Sequence, residues 1–277
     1  MKKITALMLS SAMMLSLAAC GGSASTETVS SEAASSEAVS TEEAASADAA
    51  AVTTVNAGKL TMSTNAAFPP YEMTTDTGDF EGIDIEVAGA IAKKLGLELQ
   101  VDDMDFDAAL LAAQSGKSDI VMAGVTVTDE RQKVMDFSDT YAEGIQSIIV
   151  PEGSDIATAD DLSGKAIGTQ RGTTGYLYCT DDFGEENVIA YDDGLTAVQA
   201  LNNGQVDAVV IDNAPAQEFV AANPGLKILD TAYAQEDYAI GVAKGNTQLL
   251  DAINGALEEL QDDGTLQAIV DKYITAE

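Results

Sequence analysis

The chain has 277 residues, enough for one large domain or two modest ones that each bury a core. It carries 46 acidic and 13 basic residues, and this net charge of −33 repels phosphate backbones and excludes a nucleic-acid partner. Histidine is absent and only Cys20 and Cys179 are cysteines, which excludes Ser-His and Cys-His nucleophiles and leaves no plausible zinc site. We attribute the acidity to solubility, and we predict no catalytic residue, no metal and no cofactor.

The N-terminal segment has the pattern of an export signal. Residues 1–19 combine two lysines, an apolar run and small residues. The letters "LAAC", ending at Cys20, resemble the lipobox of bacterial lipoproteins, which implies cleavage before Cys20 and acylation of that cysteine. An ordinary signal with a chance cysteine is the alternative. Residues 20–56 are rich in Ser, Thr, Ala and Glu without a basic residue, and we interpret them as a disordered acidic tether. No later stretch is apolar enough for a transmembrane helix, so the lipid is the only membrane attachment expected.

From Lys59 onward, short apolar runs alternate with helix-period segments, which is typical of βαβ units and a mainly parallel sheet. The first half predicts the strand "KLTMSTN", the loop "AAFPPYEM", a helix over "GIDIEVAGAIAKKLG", the strand "LELQVD", a helix from Phe106 to Ser115 and the strand "DIVMAG". Asp84 is the expected N-cap of the first helix, and Gly96 the expected C-cap.

The second half repeats this scheme. It predicts the strand "KAIGTQ", a helix near residues 173–179, the strand "NVIAY", a helix over 195–203 and the strand "DAVVID". The apolar strands "IQSIIVP" and "YAIGVAKG" fit neither half and are candidate crossover segments. Residues 247–274 are expected to be helical with a break at Gly264. Cys179 is interpreted as a small packing residue, with a reactive thiol as the alternative.

Two segments nearly repeat each other: "SGKSDIVMAG" at 115–124 and "NNGQVDAVVID" at 202–212. Three pairs of positions stand 88 residues apart in them: Gly116 and Gly204, Asp119 and Asp207, Gly124 and Asp212. Any two βαβ units look alike, so the match by itself is weak evidence for duplication. Ligands in open α/β sheets bind at the carboxyl ends of strands, and Gly124 and Asp212 are therefore expected to face one cleft.

The segment "AGVTVTDERQKVMDFSDTY", residues 123–141, carries the strongest sign of a ligand site. Thr126 and Thr128 flank a strand-to-helix turn whose free N–H groups can hold an anion, and Arg131 follows one turn into the helix. Periodicity alone leaves open a surface arginine that pairs with Asp129 or Asp136.

The stretch "GIDIEVAGAIAKKL" at residues 82–95 resembles the signature of the solute-binding protein family 3, the extracytoplasmic receptors of polar amino-acid ABC transporters. The stretch "AGVTVTDERQKVMDFSD" is similar to the corresponding block of glutamine-binding proteins, and the similarity extends over about residues 59–274. The resemblance implies an α/β fold, the two-lobed periplasmic-binding-protein (type 2) clamshell with two hinge strands. The implied lobes are residues 57–145 with 238–277, and residues 146–237.

The resemblance also implies roles for individual residues. Arg131 would hold the α-carboxylate of an amino acid through a bidentate fork, helped by the backbone N–H groups of Thr126 and Thr174. The α-ammonium would meet the Gly124 carbonyl, the Thr126 hydroxyl and the Asp212 carboxylate. Aromatic walls are expected from two phenylalanines, although either could be a core residue: Phe68 and Phe106.

Two positions depart from the family pattern. Many relatives have an acidic residue where this chain has Asn65, and the glutamine-binding type has a lysine where it has Gln170. The pocket is therefore expected to be uncharged and to favour a neutral polar L-amino acid such as glutamine. A cation held on the Phe68 ring would favour a basic ligand instead, as would Asp102, Asp103 or Asp105 if one of them reached the cleft rim.

These observations predict a monomeric, non-enzymatic, lipid-anchored receptor on the outer face of the cytoplasmic membrane. Its expected partners are an L-amino acid and an ABC transporter permease. The same clamshell could instead serve a signalling partner as a ligand sensor. A third alternative is an enzyme similar to cyclohexadienyl dehydratase, which shares the fold and acts on carboxylated rings.

Overall fold

The structure, a computed structural model, describes residues 52–274. The predicted signal, Cys20 and most of the tether lie outside this range. The helices are α1 Ile83–Lys94, α2 Phe106–Gln114, α3 Asp129–Val134, α4 Thr174–Phe183, α5 Gly194–Asn202, α6 Asn213–Ala222, α7 Thr247–Asp262 and α8 Thr265–Tyr273. The strands are β1 Lys59–Thr64, β2 Ala67–Phe68, β3 Glu72–Thr74, β4 Phe80–Glu81, β5 Glu98–Asp103, β6 Ile120–Val121, β7 Met135–Pro151, β8 Ile167–Gln170, β9 Val188–Tyr191, β10 Ala208–Asp212, β11 Leu226–Ile228 and β12 Ala234–Ala243.

Nine strands form one mixed sheet in the order β5-β1-β6-β12-β7-β10-β8-β9, with β11 paired to β7. The pairs among β5, β1 and β6, and those among β10, β8 and β9, are parallel. We call the first set with α1 to α3 the first module, and the second set with α4 to α6 the second module. The strands β7 and β12 lie between the modules and pair with each other in antiparallel orientation. β12 also pairs with β6 of the first module, and β7 with β10 of the second, again antiparallel. The predicted segment "IQSIIVP" lies within β7, which begins ten residues earlier than predicted. The predicted segment "YAIGVAKG" overlaps β12, which begins four residues earlier and ends at Ala243, two residues before the end of the segment.

The core follows the predicted periodicity. In α1 the buried face contains Ile83, Val87 and Ile91, and in α7 it contains Leu249 and Ile253. These side chains belong to one apolar cluster against the sheet. Burying a side chain of this size stabilises the fold by about 1.5–3 kcal/mol. The amphipathic pattern is therefore what fixes these helices on the sheet.

The helix boundaries of α1 contain two corrections. Its C-cap is Leu95, and Gly96 follows the cap in a left-handed conformation (φ 71°). Asp84 is not the N-cap of α1: the cap residue is Gly82, and Asp84 is fully buried in the first turn. Its carboxylate accepts hydrogen bonds from the Gly124 N–H (3.0 Å) and the Tyr141 hydroxyl (2.7 Å). These partners lie across the sheet, so Asp84 ties α1 to a strand end instead of closing its own helix.

Two further features differ in detail from the sequence prediction. The segment predicted as the loop "AAFPPYEM" contributes β2 and β3 to a separate three-stranded sheet with β4. The C-terminal helical region breaks as predicted, because Gly264 adopts a left-handed conformation (φ 77°) between α7 and α8. Within residues 52–274, no helix combines the length and apolarity needed to cross a bilayer.

Candidate functional site

A small cavity lies where the two modules meet. All nine predicted ligand-binding residues line it: Asn65, Phe68, Phe106, Gly124, Thr126, Arg131, Gln170, Thr174 and Asp212. Three further lining residues were not predicted: Glu72, Ala123 and Thr173. The structure thus places residues separated by up to 147 positions in one enclosure, and it leaves their contacts with a ligand as a prediction.

Arg131 is buried, with only 8% of its surface exposed, so the alternative of a surface arginine is wrong. Asp136, one of its suggested partners, pairs with Lys244 instead. The Arg131 guanidinium donates to the carbonyl oxygens of Thr126 (2.8 Å) and Gly172 (3.2 Å) and lies over the Phe106 ring at 5.4 Å from its centroid. Burial lowers the pKa of Arg131, and the Glu236 carboxylate opposes that effect. Both acceptors are neutral carbonyls, so the guanidinium charge is available for an anion in the cavity.

The helix termini around Arg131 supply N–H donors. Thr128 is the N-cap of α3, and its hydroxyl accepts from the Arg131 N–H at 3.2 Å. Thr174 is the first residue of α4, whose N-cap is Thr173. Within residues 52–274, the backbone N–H groups of Thr126 and Thr174 have no protein acceptor. Free N–H groups next to a buried guanidinium form an anion site.

The opposite side of the cavity is acidic. Asp212 is the last residue of β10 and is 7% exposed, and the Tyr238 hydroxyl donates to its carboxylate. Burial, with a further contribution from the nearby Glu236 carboxylate, raises the pKa of Asp212 to about 7. Placing a cation beside this carboxylate would favour its ionised form. An anion site and a carboxylate thus face the same enclosed space, as the two ends of a zwitterion require.

Gly124 lines the same cavity. Its φ of +53° favours glycine, and an added Cβ would lie 2.8 Å from the Phe68 ring. Its N–H is committed to Asp84, whose pKa burial raises to about 6. Phe68 stacks on Tyr71 with ring centroids 5.8 Å apart. The aromatic wall and the strand end are therefore packed tightly together.

The two amide residues of the pocket bind each other. Gln170 Nε2 donates to Asn65 Oδ1 at 2.8 Å, and Asn65 Nδ2 donates to the Met104 carbonyl at 3.0 Å. The first of these bonds joins the second module to the first. An aligned amide pair is uncharged and retains donor and acceptor capacity for a polar ligand.

Glu72 is a buried carboxyl group that the sequence analysis missed. It lines the cavity and is 0% exposed, and neither of its side-chain oxygens has a hydrogen-bond partner within residues 52–274. Burial, followed by the charge of Asp84, raises its pKa well above the ordinary value. A protonated Glu72 can donate a hydrogen bond to the Asp84 carboxylate, which agrees with the interaction between the two carboxyl groups. Its position directly after "PPY" gave no signal, because an acidic residue in a loop reads as solvated.

Outside the cavity, the structure bears on the interpretation of Cys179. Cys179 is fully buried, and burial raises the pKa of its thiol to about 12, so the packing interpretation is favoured over a reactive thiol. Among residues 52–274, no cluster of His, Cys, Asp and Glu has the arrangement of a metal site.

Comparisons with known proteins decide the family. Residues 60–276 match the bacterial extracellular solute-binding proteins, family 3. The chain belongs to this family. The L-cystine-binding protein TcyJ of Escherichia coli (strain K12) is 35% identical over 224 residues, which cover 79% of this chain and 84% of that protein.

Solved structures of an ancestral arginine-binding protein are also similar. The form bound to glutamine has a TM-score of 0.76 and 44% identity, covering 79% of this chain and 99% of the other. The form bound to arginine has a TM-score of 0.74 and 45% identity, covering 78% and 98%. The predicted fold class is confirmed: the family-3 chain is a two-lobed α/β clamshell, and β7 and β12 are its hinge strands.

Proposed function

We propose that this family-3 protein is an amino-acid receptor of an ABC importer, which captures an L-amino acid outside the cytoplasm and delivers it to a permease. The single observation that carries the proposal is the pair of opposite charges, Arg131 and Asp212, both buried in the wall of one cavity. A free amino acid is the small molecule whose α-carboxylate and α-ammonium match such a pair. The relatives support this reading, because their names specify L-cystine, arginine and glutamine as ligands.

The proposed contacts follow from the geometry. The carboxylate takes the unused N–H groups of Arg131 together with the backbone N–H groups of Thr126 and Thr174. The ammonium takes the Gly124 carbonyl, the Thr126 hydroxyl and the Asp212 carboxylate. Each group comes from the end of a strand or the start of a helix, where backbone donors and acceptors are free. We propose that residues 57–145 with 238–277, and residues 146–237, close on the ligand about β7 and β12.

For the ligand side chain we propose a neutral polar group such as that of glutamine. The supporting observation is the amide pair Asn65 and Gln170, which presents hydrogen-bonding groups without charge. A lysine or arginine side chain buried against amides would lack compensation for its desolvation, a penalty of several kcal/mol.

One observation favours a second candidate, a cationic ligand. Glu72 lines the same cavity, and among residues 52–274 no basic side chain pairs with its carboxyl group. An ionised Glu72 could stabilise a basic side chain, and the arginine-bound relative shows that a similar chain accepts such a ligand. Affinity for glutamine relative to arginine and cystine therefore decides between the candidates.

A thermal-shift screen of the purified protein against the twenty L-amino acids and L-cystine tests the proposal. A ligand at 100 times its dissociation constant adds roughly 2.7 kcal/mol to the free energy of unfolding. We expect L-glutamine to give one of the largest shifts. Larger shifts with arginine or lysine would overturn the neutral pocket, and no shift with any of these compounds would overturn the amino-acid receptor.

The same cleft could serve a sensor or an enzyme, and each alternative has its own test. Turnover of prephenate or arogenate by the purified protein would contradict the proposal that the chain is not an enzyme. A sensor kinase gene beside that of this protein, in place of a permease gene, would favour signalling.

We also propose that the protein is a monomeric lipoprotein, cleaved before Cys20 and held on the outer face of the cytoplasmic membrane. The proposal rests on the pattern of residues 1–20, with residues 20–56 as the tether. Cys20→Ala should leave the protein uncleaved or release it from the membrane fraction. A correctly processed variant that stays membrane-bound would contradict the lipid anchor.

A further inference from the structure

Behind the cavity lies a pair of polar residues that do not line it: Gln146 on β7 and Glu236 on β12. They are 1% and 7% exposed. In the antiparallel register Gln146 is opposite Ala234, and Glu236 is opposite Gly144, so the two side chains are diagonal neighbours on one sheet face. Gln146 Nε2 donates to Glu236 Oε2 at 2.9 Å. The pair therefore joins the two hinge strands directly beneath the ligand site.

We propose that Glu236 and Gln146 are positioning residues, which fix the hydrogen-bond direction of the two ligand-facing threonine hydroxyls in opposite senses. Thr126 becomes an acceptor for the ligand ammonium, and Thr174 becomes a donor for the ligand carboxylate. This inference rests on the proposed function and adds residues that set the orientation of the amino acid.

The direction at Thr126 follows from its contact with Glu236. The Thr126 hydroxyl and Glu236 Oε2 are 3.1 Å apart, both buried. A carboxylate oxygen can only accept, so the hydroxyl hydrogen points to Glu236. The oxygen lone pairs of Thr126 remain, and they suit an ammonium and not a carboxylate.

The direction at Thr174 follows from the amide of Gln146. One hydrogen of Nε2 points to Glu236, and the other points to the Thr174 hydroxyl oxygen at 3.4 Å. The flipped amide would set its oxygen against the Glu236 carboxylate, so Glu236 also fixes the amide orientation. With an amide hydrogen already directed at its oxygen, Thr174 can give its own hydrogen to an anion.

The two hydroxyls belong to different modules, whereas Glu236 and Gln146 belong to the hinge strands between them. The polarity of both hydroxyls is thus set from one place when the cleft is formed. A ligand bound in reverse would place its carboxylate against the Thr126 oxygen and would lose both bonds.

The test compares an amino acid with its des-amino analogue. Calorimetry measures the affinities of wild type and Glu236→Gln for two pairs of compounds. The pairs are L-glutamine with glutaramic acid, and L-arginine with its des-amino acid. Hydrogen bonds to charged groups are the strong class, so the variant should weaken binding of the amino acid about tenfold or more while leaving the des-amino acid within threefold. An equal loss for both compounds would mean that Glu236 has only a structural role, and it would overturn the inference.

Loss of a negative charge near the ammonium could also lower the preference for the amino acid over its des-amino analogue. A double-mutant cycle separates this charge effect from the orientation of the Thr126 hydroxyl. In a Thr126→Val background no hydroxyl remains to be oriented, so Glu236→Gln should change the preference little further. An unchanged effect in that background would show that charge alone acts, and it would overturn the inference. Asp237→Asn, an exposed carboxylate on the same strand, is the matched control and should alter neither affinity.

A second arm examines the carboxylate end. Gln146→Met removes the amide donors, and we expect it to reduce the preference for L-glutamine over its α-amide by about threefold, a smaller effect because the contact is long. No change would overturn the assignment of Thr174. Failure of wild type to bind any of the amino acids would overturn the proposed function itself, which distinguishes that outcome from a failure confined to Glu236.

Discussion

The two repeated segments begin in the same way and end differently. In each, a left-handed glycine ends a helix, with φ 67° at Gly116 and 68° at Gly204. In each, the aspartate three residues later accepts a backbone N–H in or next to the neighbouring parallel strand: Asp119 from Thr61 of β1 at 2.7 Å, and Asp207 from Ala166, just before β8, at 2.9 Å. The segments then diverge, because the first reaches Gly124 and the second reaches Asp212.

The difference separates backbone construction from chemistry. The glycine and the aspartate form the connection from a helix to a parallel strand, which both modules contain. At the strand ends the demands differ: Gly124 has a left-handed φ against the Phe68 ring, whereas Asp212 brings a carboxylate. The shared positions should therefore govern stability, and the divergent ones should govern binding.

The largest expected effect is at the divergent end. Arg131→Ala and Asp212→Ala should each weaken amino-acid binding by on the order of 2–5 kcal/mol, because each leaves a buried ligand charge unpaired. Arg131→Lys should restore only part of the loss, since an ammonium cannot reproduce the bidentate fork. Isothermal titration calorimetry measures these affinities.

The matched control is Arg171→Ala, which removes an exposed guanidinium adjacent in sequence to Gln170 and should leave the affinity unchanged. If either Arg131→Ala or Asp212→Ala bound within threefold of wild type, the proposed contact of that residue would be wrong.

The two aspartates of the repeat should differ in their effect on stability. Asp119 is buried and accepts from both Val55 and Thr61 at 2.7 Å, whereas Asp207 is exposed and accepts from Ala166. Asp119→Ala should lower the free energy of unfolding by about 2–3 kcal/mol, and Asp207→Ala by about 0.5–1 kcal/mol. Urea denaturation measures both, and equal losses would show that burial does not distinguish the two copies.

Only the second repeat ends in a titratable group, so pH should act through Asp212. Because its pKa lies at about 7, lowering the pH below 7 protonates the carboxylate that the ammonium requires. Affinity should then fall by up to about tenfold per pH unit. Titration calorimetry from pH 8 to pH 5 checks this, and Asp212→Asn should flatten the profile.

Stability without ligand should change in the opposite direction. The folded protein holds protons on Asp84 and Asp212 up to about pH 6 and 7, whereas the unfolded chain releases them near its ordinary carboxyl pKa of 3.8. Between these pH values the folded state binds more protons than the unfolded chain. The free energy of unfolding therefore increases as the pH falls and decreases as the pH rises. A thermal unfolding temperature that increased from pH 5 to pH 8 would contradict the assignment.

The smallest effect should be equal in the two copies. Gly116→Ala and Gly204→Ala each force a left-handed φ on alanine while meeting no neighbouring atom, which costs about 1 kcal/mol. Gly153→Ala, where the space is open and φ is not left-handed, is the control and should not destabilise. Thermal denaturation checks the three variants, and unequal losses at Gly116 and Gly204 would weaken the structural equivalence of the repeats.

The strands and helices of the modules could be predicted because periodicity and terminal glycines are local signals. The predicted strand "DAVVID" begins within one residue of β10, and the predicted break at Gly264 is present. Asp84 was assigned wrongly as an N-cap for the same reason: its local context resembles a cap, but its partner Gly124 is 40 residues away. The small sheet of β2, β3 and β4 was missed, since strands of two or three residues have no period to detect.

The cavity lining could be predicted only where a motif or a family position marked it. Glu236 and Gln146 were missed, because their role depends on a contact between Thr126 and Glu236 across 110 residues. Glu236 lies in "QED", an acidic run in a chain with 46 acidic residues, and nothing local separates a buried carboxylate from a solvated one. Long-range packing, which composition does not encode, decides which of these carboxylates is buried.

The hydrogen bond from Gln170 to Asn65 has a consequence for the transport cycle. It links the two modules through side chains of the chain itself, and in the proposed receptor a net value of about 0.5–1.5 kcal/mol would raise the closed fraction of ligand-free molecules by roughly two- to tenfold. Gln170→Ala should reduce that fraction, and single-molecule distance measurements on vacant protein would detect it. A ligand-free receptor in the closed form would resemble the loaded receptor to the transporter. In the proposed transport cycle, this bond therefore sets a lower limit on unproductive binding to the transporter and on the nucleotide hydrolysis that such binding would cause.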